Sequence, residues 1–311
     1  MSATAYFEGK FVPEEEAKIN IRTHAFLYGS SVFEGIRGYW NEETQTTYLF
    51  RAKEHYERLL QSAKLLFLEH TLTMDKLLEI SVRLVEDSNF KKDSYLQPRI
   101  YKSGFVVPPR LDNVESDFCC FTVPLGDYLD LSKGLNVCVS NWRRVSDNAI
   151  PPRGKIGGSY VNSGLAMAEA HMNGFDDSIV LTEEGKVSEG SSMNFFMVKN
   201  GVILTSRTTD CILEGITRTS IIEIAAKELG LTVEVRAIDR TELYLADEVF
   251  FTGTAAQVAP VASIDHYKIG ADGKPGEITM KLQALYLDIA KGKIPRYNHW
   301  LTPIKSHARI N

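Results

Sequence analysis

The residues of this chain that could carry chemistry begin with a lysine set among glycines. Lys155 lies in the run Arg-Gly-Lys-Ile-Gly-Gly-Ser-Tyr at 153–160, and Glu189 follows in Val-Ser-Glu-Gly at 187–190. Glycines beside the lysine would let another molecule approach its amine closely. A lysine amine can bind a carbonyl compound covalently, and a carboxylate can pair with a protonated ring nitrogen. These two residues therefore indicate a cofactor such as pyridoxal phosphate, which has both an aldehyde and a pyridine nitrogen.

A third group of residues could bind the phosphate of such a cofactor. The run Leu-Glu-Gly-Ile-Thr-Arg at 213–218 precedes apolar residues at helical spacing, and Gly230 closes the predicted helix. The start of a helix offers unpaired amides at its positive end, which suits an anion. Thr217 could equally be a simple N-cap residue, so both interpretations remain open at this point. The Thr-Gly-Thr-Ala-Ala turn at 252–256 is a second candidate for the phosphate.

Composition narrows the class of protein and its partners. The 311 residues, 44% of them hydrophobic, are enough for one large core or two smaller ones, which favours two domains. Because 35 basic and 40 acidic residues leave a net charge of -5 without a basic block, we expect small-molecule partners and no nucleic acid. No apolar run approaches membrane-spanning length and the first residues lack signal-peptide features, so we expect no membrane association and a cytoplasmic location.

Cysteine usage argues against a metal site. The chain has four cysteines, Cys119, Cys120, Cys138 and Cys211, without paired Cys-x-x-Cys spacing. We therefore expect free, mostly buried thiols and no bound metal.

Periodicity predicts a mixed α+β chain. Alternating or β-branched runs predict strands at 6–7, 11–12, 46–50, 94–101, 118–123, 179–182, 187–189, 194–198, 202–205 and 248–251. Amphipathic runs predict helices at 53–68, 74–87, 162–172, 217–229 and 279–290.

The order of these elements predicts two domains. A small open α/β domain is expected over 1–123, and a Gly-, Asp- and Leu-rich stretch at 124–134 is expected to connect it to the next domain. The strands at 179–182, 187–189, 194–198 and 202–205 read as a meander of antiparallel strands, and such a sheet with helices on its outside closes readily into a barrel. We therefore expect 135–311 to form a larger, barrel-like β domain.

Five motifs in a fixed order resemble the branched-chain aminotransferases of the class IV, fold type IV pyridoxal-phosphate enzymes. The motifs are Ser31–Arg37, Gly154–Asn162, Val187–Gly190, Leu213–Arg218 and Phe251–Ala256, and the similarity runs from about residue 6 to the His-Trp-Leu-Thr-Pro ending at 299–303. Each motif alone is weak, but their order and separations make coincidence improbable. The resemblance implies a two-domain fold type IV enzyme that moves the amino group of leucine, isoleucine or valine to 2-oxoglutarate.

The resemblance also implies roles around the cofactor. Lys155 matches the lysine that holds pyridoxal phosphate as a Schiff base and then moves the proton between substrate and cofactor. Glu189 matches the acid that keeps the pyridine nitrogen protonated. The other implied cofactor contacts are Arg58 to the phosphate, Tyr160 to the phenolic oxygen, Leu213 to the ring face, and Ile216, Thr217 and Thr254 to the phosphate.

Substrate binding is implied for a further set of residues. Aromatic side chains would enclose an aliphatic substrate, while a tyrosine hydroxyl and turn amides would hold its α-carboxylate. The set comprises Tyr28, Phe33, Arg37, Tyr95, Ala255 and Ala256. In this family Tyr28 typically completes the neighbouring subunit's site, so the resemblance implies a homodimer or a multimer of dimers.

One departure from the family concerns the amino-group acceptor. Many relatives carry Tyr-x-Arg or Tyr-x-Lys at this strand, where the basic residue meets the distal carboxylate of glutamate, but this chain has Gln97 after Tyr95. On a regular strand Tyr95, Gln97 and Arg99 share one face, so the charge could have moved to Arg99. Lys102 or Arg110 could also supply it. If nothing replaces the cation, 2-oxoglutarate should be a poor acceptor, and amine or aromatic substrates should be tolerated.

Other functions remain open on the sequence. D-amino acid aminotransferases, (R)-amine transaminases and aminodeoxychorismate lyases of the same fold share the lysine and the glutamate. A nucleotide-binding module is disfavoured because Ile156 follows the lysine and the phosphate-loop glycine spacing is absent. A cofactor-free binding or structural protein fits the composition but leaves the ordered motifs unexplained.

Overall fold

The protein forms two compact units that are not continuous in sequence. A computed structural model describes residues 4–126 and 133–305. The first unit takes in the described residues of Met1–Gly126, Gly154–Gly158 and Asp288–Asn311, and the second those of Asp127–Arg153 and Ser159–Leu287. Most of the predicted connection at 124–134 lies outside the described residues. The two units are not two consecutive stretches of chain, because the segment of Lys155 and the C-terminal segment belong with the first unit.

The described residues contain seventeen strands, most of them at or near the predicted positions. In chain order they are β1 Thr4–Phe7, β2 Lys10–Pro13, β3 Ser31–Phe33, β4 Ile36–Asn41, β5 Thr46–Phe50, β6 Ser94–Lys102, β7 Ser116–Pro124, β8 Leu135–Arg143, β9 Asp177–Leu181, β10 Val187–Gly190, β11 Asn194–Lys199, β12 Val202–Thr205, β13 Val233–Val235, β14 Glu248–Gly253, β15 Gln257–Ile264, β16 Tyr267–Lys268 and β17 Leu301–Lys305.

The five predicted helices are present, and a short sixth precedes them. In chain order the α-helices are α1 His24–Tyr28, α2 Ala52–Leu65, α3 Met74–Ser88, α4 Tyr160–Met172, α5 Ile216–Leu229 and α6 Glu277–Ala290. The predicted end of α2 at residue 68 is wrong by three residues. Phe67 adopts a left-handed φ of 52°, which a continuing helix does not tolerate.

The first unit is built on an antiparallel sheet. Its strand order is β17-β5-β4-β6-β7-β1-β2, with β3 paired to β6 off this path. The C-terminal strand β17 pairs with β5 over five residues, which explains why the end of the chain belongs to this unit. Along β6 the buried residues Ser94, Leu96, Pro98 and Ile100 alternate with half-buried ones. The half-buried face therefore carries Tyr95, Gln97 and Arg99, as the strand period predicts.

The second unit is built on a mixed sheet. The antiparallel pairs β9–β10 and β11–β12 of the predicted meander are present, but β10 and β11 are not neighbours in the sheet order. Its strand order is β10-β9-β8-β15-β14-β11-β12-β13, with β16 paired to β15. The pairs β8–β9, β8–β15 and β12–β13 are parallel. Parallel neighbours need a crossover connection, and α4 between β8 and β9 and α5 between β12 and β13 supply it. The helices were predicted, but their consequence for strand direction was not.

Three strands of the second unit are buried along all or most of their length. All five residues of β9, all four of β10 and five of the six in β11 are buried. The core around them includes Phe195, Phe251 and Val249. A charged side chain at one of these buried positions, such as Glu189 on β10, is therefore out of water and needs a protein partner.

One glycine allows the segment that contains Lys155 to pack closely against the end of α1. Gly29 ends α1 in the left-handed conformation at φ 66°, and a Cβ there would lie 2.7 Å from Gly158 Cα. Gly230 ends α5 in the same conformation at φ 62°, but a Cβ there would meet nothing within 4 Å. The two glycines therefore differ in their surroundings and not in their backbone.

We expect Gly29→Ala to destabilise the protein more than Gly230→Ala. Left-handed backbone at an alanine costs about 1–2 kcal/mol at either position. Backbone crowding against Gly158 should add about 1–3 kcal/mol at Gly29 only. Urea unfolding of both variants measures the difference, and equal losses of unfolding free energy would show that the close approach at Gly158 is not a constraint.

Candidate active site

The backbone of Lys155 is held by two elements of the first unit. Phe33 of β3 donates its N–H to the Lys155 carbonyl oxygen at 3.0 Å. The Lys155 N–H donates to Ser62 Oγ of α2 at 3.2 Å. Val32 and Ile156 form an antiparallel bridge next to these bonds. A residue in a loop segment is thereby fixed as firmly as one in a sheet.

The Lys155 side chain shares an aromatic neighbour with an arginine. Lys155 Nζ lies 4.9 Å from the centroid of the Phe33 ring, and the Arg99 guanidinium carbon lies 4.8 Å from the same centroid. Arg99 Nη1 donates to Ser31 Oγ at 2.7 Å, and Nη2 donates to Gln97 Oε1 at 3.3 Å. The structure therefore brings together four residues predicted for one site, namely Phe33, Gln97, Arg99 and Lys155.

The glycines that flank Lys155 allow the chain to pack against itself. A Cβ on Gly157 would lie 2.6 Å from Ser31 Oγ and 3.0 Å from Arg99 Nη1. A Cβ on Gly154 would lie 3.1 Å from Leu65 Cδ1 of α2. The sequence indicated that these glycines give a ligand access to the lysine amine. The structure shows that they also allow close packing on β3 and α2.

The two predicted tyrosines of the first unit lie on different elements. Tyr95 is half-buried on β6, and its ring packs where a Cβ on Gly35 would come within 2.7 Å of its ring carbons. Tyr28 is exposed at the end of α1, with its hydroxyl hydrogen-bonded to the carbonyl oxygen of Val107.

Two arginines predicted for the site are buried and engaged with the protein. Arg37 Nη2 donates to the Gly126 carbonyl oxygen at 2.9 Å and lies 3.6 Å from the Asp93 carboxylate. Arg58 donates from Nε and Nη2 to the two carboxylate oxygens of Glu34, each at 2.7 Å. Both partners of the Arg58–Glu34 ion pair are out of solvent.

In the second unit, Glu189 is a buried carboxylate with donors on both oxygens. Arg144 Nη2 lies 3.0 Å from Oε1. Oε2 accepts from Asn194 Nδ2 at 3.0 Å and from the Leu213 N–H at 3.2 Å. The cation and the hydrogen bonds all favour the ionised form, which is the form that pairs with a protonated ring nitrogen.

Asn194 joins Glu189 to the start of α5. Its Nδ2 also donates to the Leu213 carbonyl oxygen at 2.7 Å. A Cβ on Gly215 would lie only 2.0 Å from its Oδ1, so only glycine fits there. Gly215 is the N-cap of α5, and Thr217 is a buried residue inside the helix. The interpretation of Thr217 as the N-cap is therefore wrong.

The remaining cofactor candidates of the second unit lie at the ends of neighbouring elements. Asn194 pairs with Thr252 between β11 and β14, and the turn of Thr254, Ala255 and Ala256 follows directly at the end of β14. Tyr160 is the half-buried first residue of α4. Two residues later, Asn162 accepts from the Val145 N–H and donates to the Arg143 carbonyl oxygen, so the start of α4 is tied to the segment of Arg144.

The chemistry of this donor set fits pyridoxal phosphate. Lys155 supplies an amine, Glu189 a buried carboxylate with a fixed orientation, and the first turn of α5 supplies amides without intrahelical partners. Among residues 4–126 and 133–305, no group of three or more His, Cys, Asp or Glu is arranged to hold a metal. Within the same ranges, no helix is long and apolar enough to cross a membrane.

Two residues at this site were missed in the sequence. Arg144 follows the end of β8, and Asn194 is the polar first residue of the apolar strand β11. A polar side chain at the start of a fully buried run was a usable signal, because such a residue needs a specific partner. Arg144 gave no local signal, since its partner is 45 residues away in sequence.

Comparison with known proteins gives consistent matches over nearly the whole chain. The family model described as amino-transferase class IV matches residues 31–264. The chain is 49% identical to the probable branched-chain-amino-acid aminotransferase of Aquifex aeolicus (strain VF5), over 96% of both chains.

Solved structures agree with this match. The branched-chain aminotransferase of Thermoproteus uzoniensis, solved with norvaline, aligns with a TM-score of 0.93 at 40% identity, over 97% of this chain and 99% of that one. The T.th. branched-chain amino acid aminotransferase, complexed with N-(5'-phosphopyridoxyl)-L-glutamate, aligns with a TM-score of 0.90 at 39% identity, over 97% and 98%. The predicted fold type IV, with its mixture of helices and strands, is confirmed by these alignments.

We expect Arg144→Leu to destabilise the protein strongly, because it leaves the Glu189 carboxylate buried without its cation. Removal of one partner of a buried ion pair costs about 3–5 kcal/mol. Arg153→Leu is the matched control, because Arg153 pairs with Asp147 at an exposed position in the same segment. The control should lose no more than about 1 kcal/mol. Urea unfolding measures both, and equal losses would mean that Arg144 is not what stabilises Glu189.

Proposed function

Because this chain belongs to the class IV aminotransferases, we propose that it is a pyridoxal-phosphate-dependent transaminase that moves the amino group of leucine, isoleucine or valine to 2-oxoglutarate. The T. uzoniensis protein with norvaline supports the aliphatic donor. The T.th. complex with a phosphopyridoxyl glutamate supports the cofactor and the acceptor. The structural observation that carries the proposal is the Lys155 amine and the Arg99 guanidinium on one aromatic ring, that of Phe33.

The residues that match the family's cofactor contacts would hold pyridoxal phosphate. When bound, pyridoxal phosphate supplies an aldehyde carbon for the amino group and a ring that accepts electrons. Lys155 Nζ would be the amine that holds the cofactor through its aldehyde carbon, and it would also hold and deliver the proton that moves during transfer. The Glu189 carboxylate would face the ring nitrogen and favour its protonation. The other proposed contacts are Tyr160 to the phenolic oxygen, Leu213 to the ring face, and Arg58, Ile216, Thr217 and Thr254 to the phosphate.

The substrate side chain would be enclosed by aromatic residues. Phe33 is buried beside Lys155, and Tyr95 lies half-buried on the same β6 face as Gln97 and Arg99. These positions support an apolar wall with a hydroxyl for the α-carboxylate. The remaining proposed substrate contacts are Tyr28, Arg37 and the amides of Ala255 and Ala256.

Arg99 is the cation that we propose for the distal carboxylate of 2-oxoglutarate. Its Nη2 lies 3.3 Å from Gln97 Oε1, so its charge stands next to the position where many relatives have a basic residue. The other two candidate cations are engaged elsewhere. Lys102 is buried and donates to the carbonyl oxygens of Phe67 and Val114, and Arg110 pairs with Asp112.

An exposed apolar patch supports a homodimer. α1 is tied to the loop that follows β6, because the His24 N–H donates to the Gly104 carbonyl oxygen at 3.0 Å. Large apolar side chains stand exposed on both segments and on the residues before α1, with Phe26 64% and Val107 68% exposed. The patch consists of Ile19, Ile21, Phe26, Leu27, Tyr28, Phe105 and Val107. A patch of this kind is typical of a protein interface, and we propose that a second copy of the chain covers it.

The thiols support a cytoplasmic location for the enzyme. The cysteines Cys119, Cys120, Cys138 and Cys211 are free, although Cys119 and Cys120 are adjacent. Free thiols are the usual state in a reducing compartment.

Half-reactions on the purified holoenzyme test the reaction and the role of Arg99 together. We expect L-leucine to discharge the cofactor's absorbance faster than D-alanine or an (R)-arylalkylamine, and 2-oxoglutarate to restore it. Arg99→Ala should lower kcat/KM for 2-oxoglutarate by roughly ten- to hundred-fold, which corresponds to the loss of charge-assisted hydrogen bonds. The rate with L-leucine should change little.

Arg110→Ala is the control for Arg99→Ala, because it removes an exposed cation that pairs with Asp112. It should leave kcat/KM for 2-oxoglutarate unchanged. Faster discharge by D-alanine or by the (R)-amine would contradict the proposed reaction. An unchanged kcat/KM in Arg99→Ala would instead contradict only the relocation of the cation.

The dimer is tested by charge insertion into the patch. We expect Phe26→Glu to shift the protein towards a monomer in light-scattering chromatography, because a buried unpaired carboxylate opposes association. Leu245→Glu is the control, since Leu245 is similarly exposed at 66% but lies outside the patch. A dimer that persists in Phe26→Glu would place the interface elsewhere.

A further inference from the structure

Three polar side chains form a buried cluster in the first unit. Glu34 is fully buried, and its two oxygens accept from Arg58 Nε and Nη2 at 2.7 Å each. His55 Nδ1 lies 2.7 Å from Glu34 Oε2, with the imidazole 2% exposed. Glu34 stands next to Phe33 in sequence, and His55 and Arg58 lie one turn apart on α2.

The cluster has one fixed charge state. Burial alone would raise the pKa of Glu34, but the Arg58 charge and the hydrogen bonds from Arg58 and His55 hold that pKa at about 2. Burial lowers the pKa of His55, so the imidazole is neutral and donates its Nδ1 hydrogen to the carboxylate. Glu34 is therefore an ionised acceptor with a donor on each side, and it does not turn freely.

The two-point contact fixes which edge of the arginine points away from Glu34. A guanidinium has two edges that can make a fork, and Glu34 takes the edge of Nε and Nη2. The Nη1 hydrogens and the second Nη2 hydrogen form the opposite edge. The Arg58 side chain is 10% exposed, whereas that of Glu34 is not exposed at all. The accessible part of this ion pair is thus the arginine.

The same face of α2 also holds Lys155. Ser62 lies four residues after Arg58, and its Oγ accepts the Lys155 N–H at 3.2 Å. Residues four apart on a helix are neighbours, with about 5–6 Å between their Cβ atoms. One buried helix face therefore fixes the backbone of the lysine and the orientation of the arginine. If both residues bind one cofactor, this helix sets the separation of its covalent link and its phosphate contact.

We propose that Glu34 is a positioning residue for the cofactor phosphate: its two-point contact sets the orientation of the Arg58 guanidinium that binds the phosphate, and His55 holds Glu34 in place. The inference rests on the proposed function, in which Arg58 contacts the phosphate. Glu34 itself does not touch the cofactor. Its effect on binding therefore depends on the phosphate group and on Arg58.

Ligand binding to the cofactor-free protein tests this role without an activity assay. Dissociation constants for pyridoxal phosphate and for pyridoxal, which lacks the phosphate, are measured by quenching of protein fluorescence. We expect Glu34→Gln to raise the dissociation constant for pyridoxal phosphate by roughly ten- to hundred-fold, the range for lost hydrogen bonds to charged groups. Pyridoxal should bind as in wild type. In an Arg58→Ala background, Glu34→Gln should have no further effect on either ligand.

Glu54→Gln is the matched control, because Glu54 is on the same helix and pairs with Arg51 at 2.7 Å but is partly exposed. It should leave both constants unchanged. If Glu34→Gln does not fold by circular dichroism, Glu34→Asp keeps the charge but shortens the reach, and should show the same phosphate-dependent loss. If Glu34→Gln weakens the binding of both ligands equally, or weakens pyridoxal phosphate binding further in the Arg58→Ala background, the inference about Glu34 is overturned but the proposed function is not. A wild-type protein that binds neither ligand would overturn the proposed function and the inference with it.

Discussion

The hydrogen bond from the Phe33 N–H to the Lys155 carbonyl oxygen is the interaction on which the arrangement of the first unit depends. It joins a loop segment to β3, which lies more than a hundred residues earlier in the chain. Ser62 Oγ of α2 accepts the N–H of the same lysine. With the backbone fixed on both sides, the position of the lysine amine is limited to the side-chain rotamers beside Phe33. A Cβ at position 157 would come within 2.6 Å of Ser31 Oγ, so any larger residue there would force the Ser31 side chain to move. Lys155 is thus held through its own backbone carbonyl and amide, although it lies outside the named strands.

Each unit contains a buried carboxylate, and its burial lowers the free energy of unfolding unless other groups compensate for it. Glu189 lies in a strand whose residues are all buried, and Glu34 is fully buried beside β3. A carboxylate out of water is unfavourable unless cations and donors surround it. Arg144 and Asn194 do this for Glu189, and Arg58 and His55 do it for Glu34. In each case the partner comes from a different element, so the carboxylate forms its contacts only when the unit is folded.

Local chemistry made part of this predictable from the sequence. The strands, the helices and the Lys155 and Glu189 motifs depend on neighbouring residues, and the half-buried face of β6 follows from the strand period. Contacts between distant segments did not follow. Tertiary packing determines the parallel pairing of β8 with β9 and the return of 154–158 to the first unit. It also determines that Arg144 and Asn194 are the partners of Glu189. One unused signal was present, since His55, Arg58 and Ser62 are polar residues on the buried face of α2.

We propose that the Lys155 amine binds the cofactor because the fold holds that residue in place. Borohydride reduction of the holoenzyme makes the link between cofactor and lysine permanent, and peptide mass mapping then locates it. We expect one labelled peptide, the one that contains Lys155, and no label in Lys155→Ala treated in the same way. A label on another lysine, such as the buried Lys102, or a wild-type protein that carries no label would contradict it.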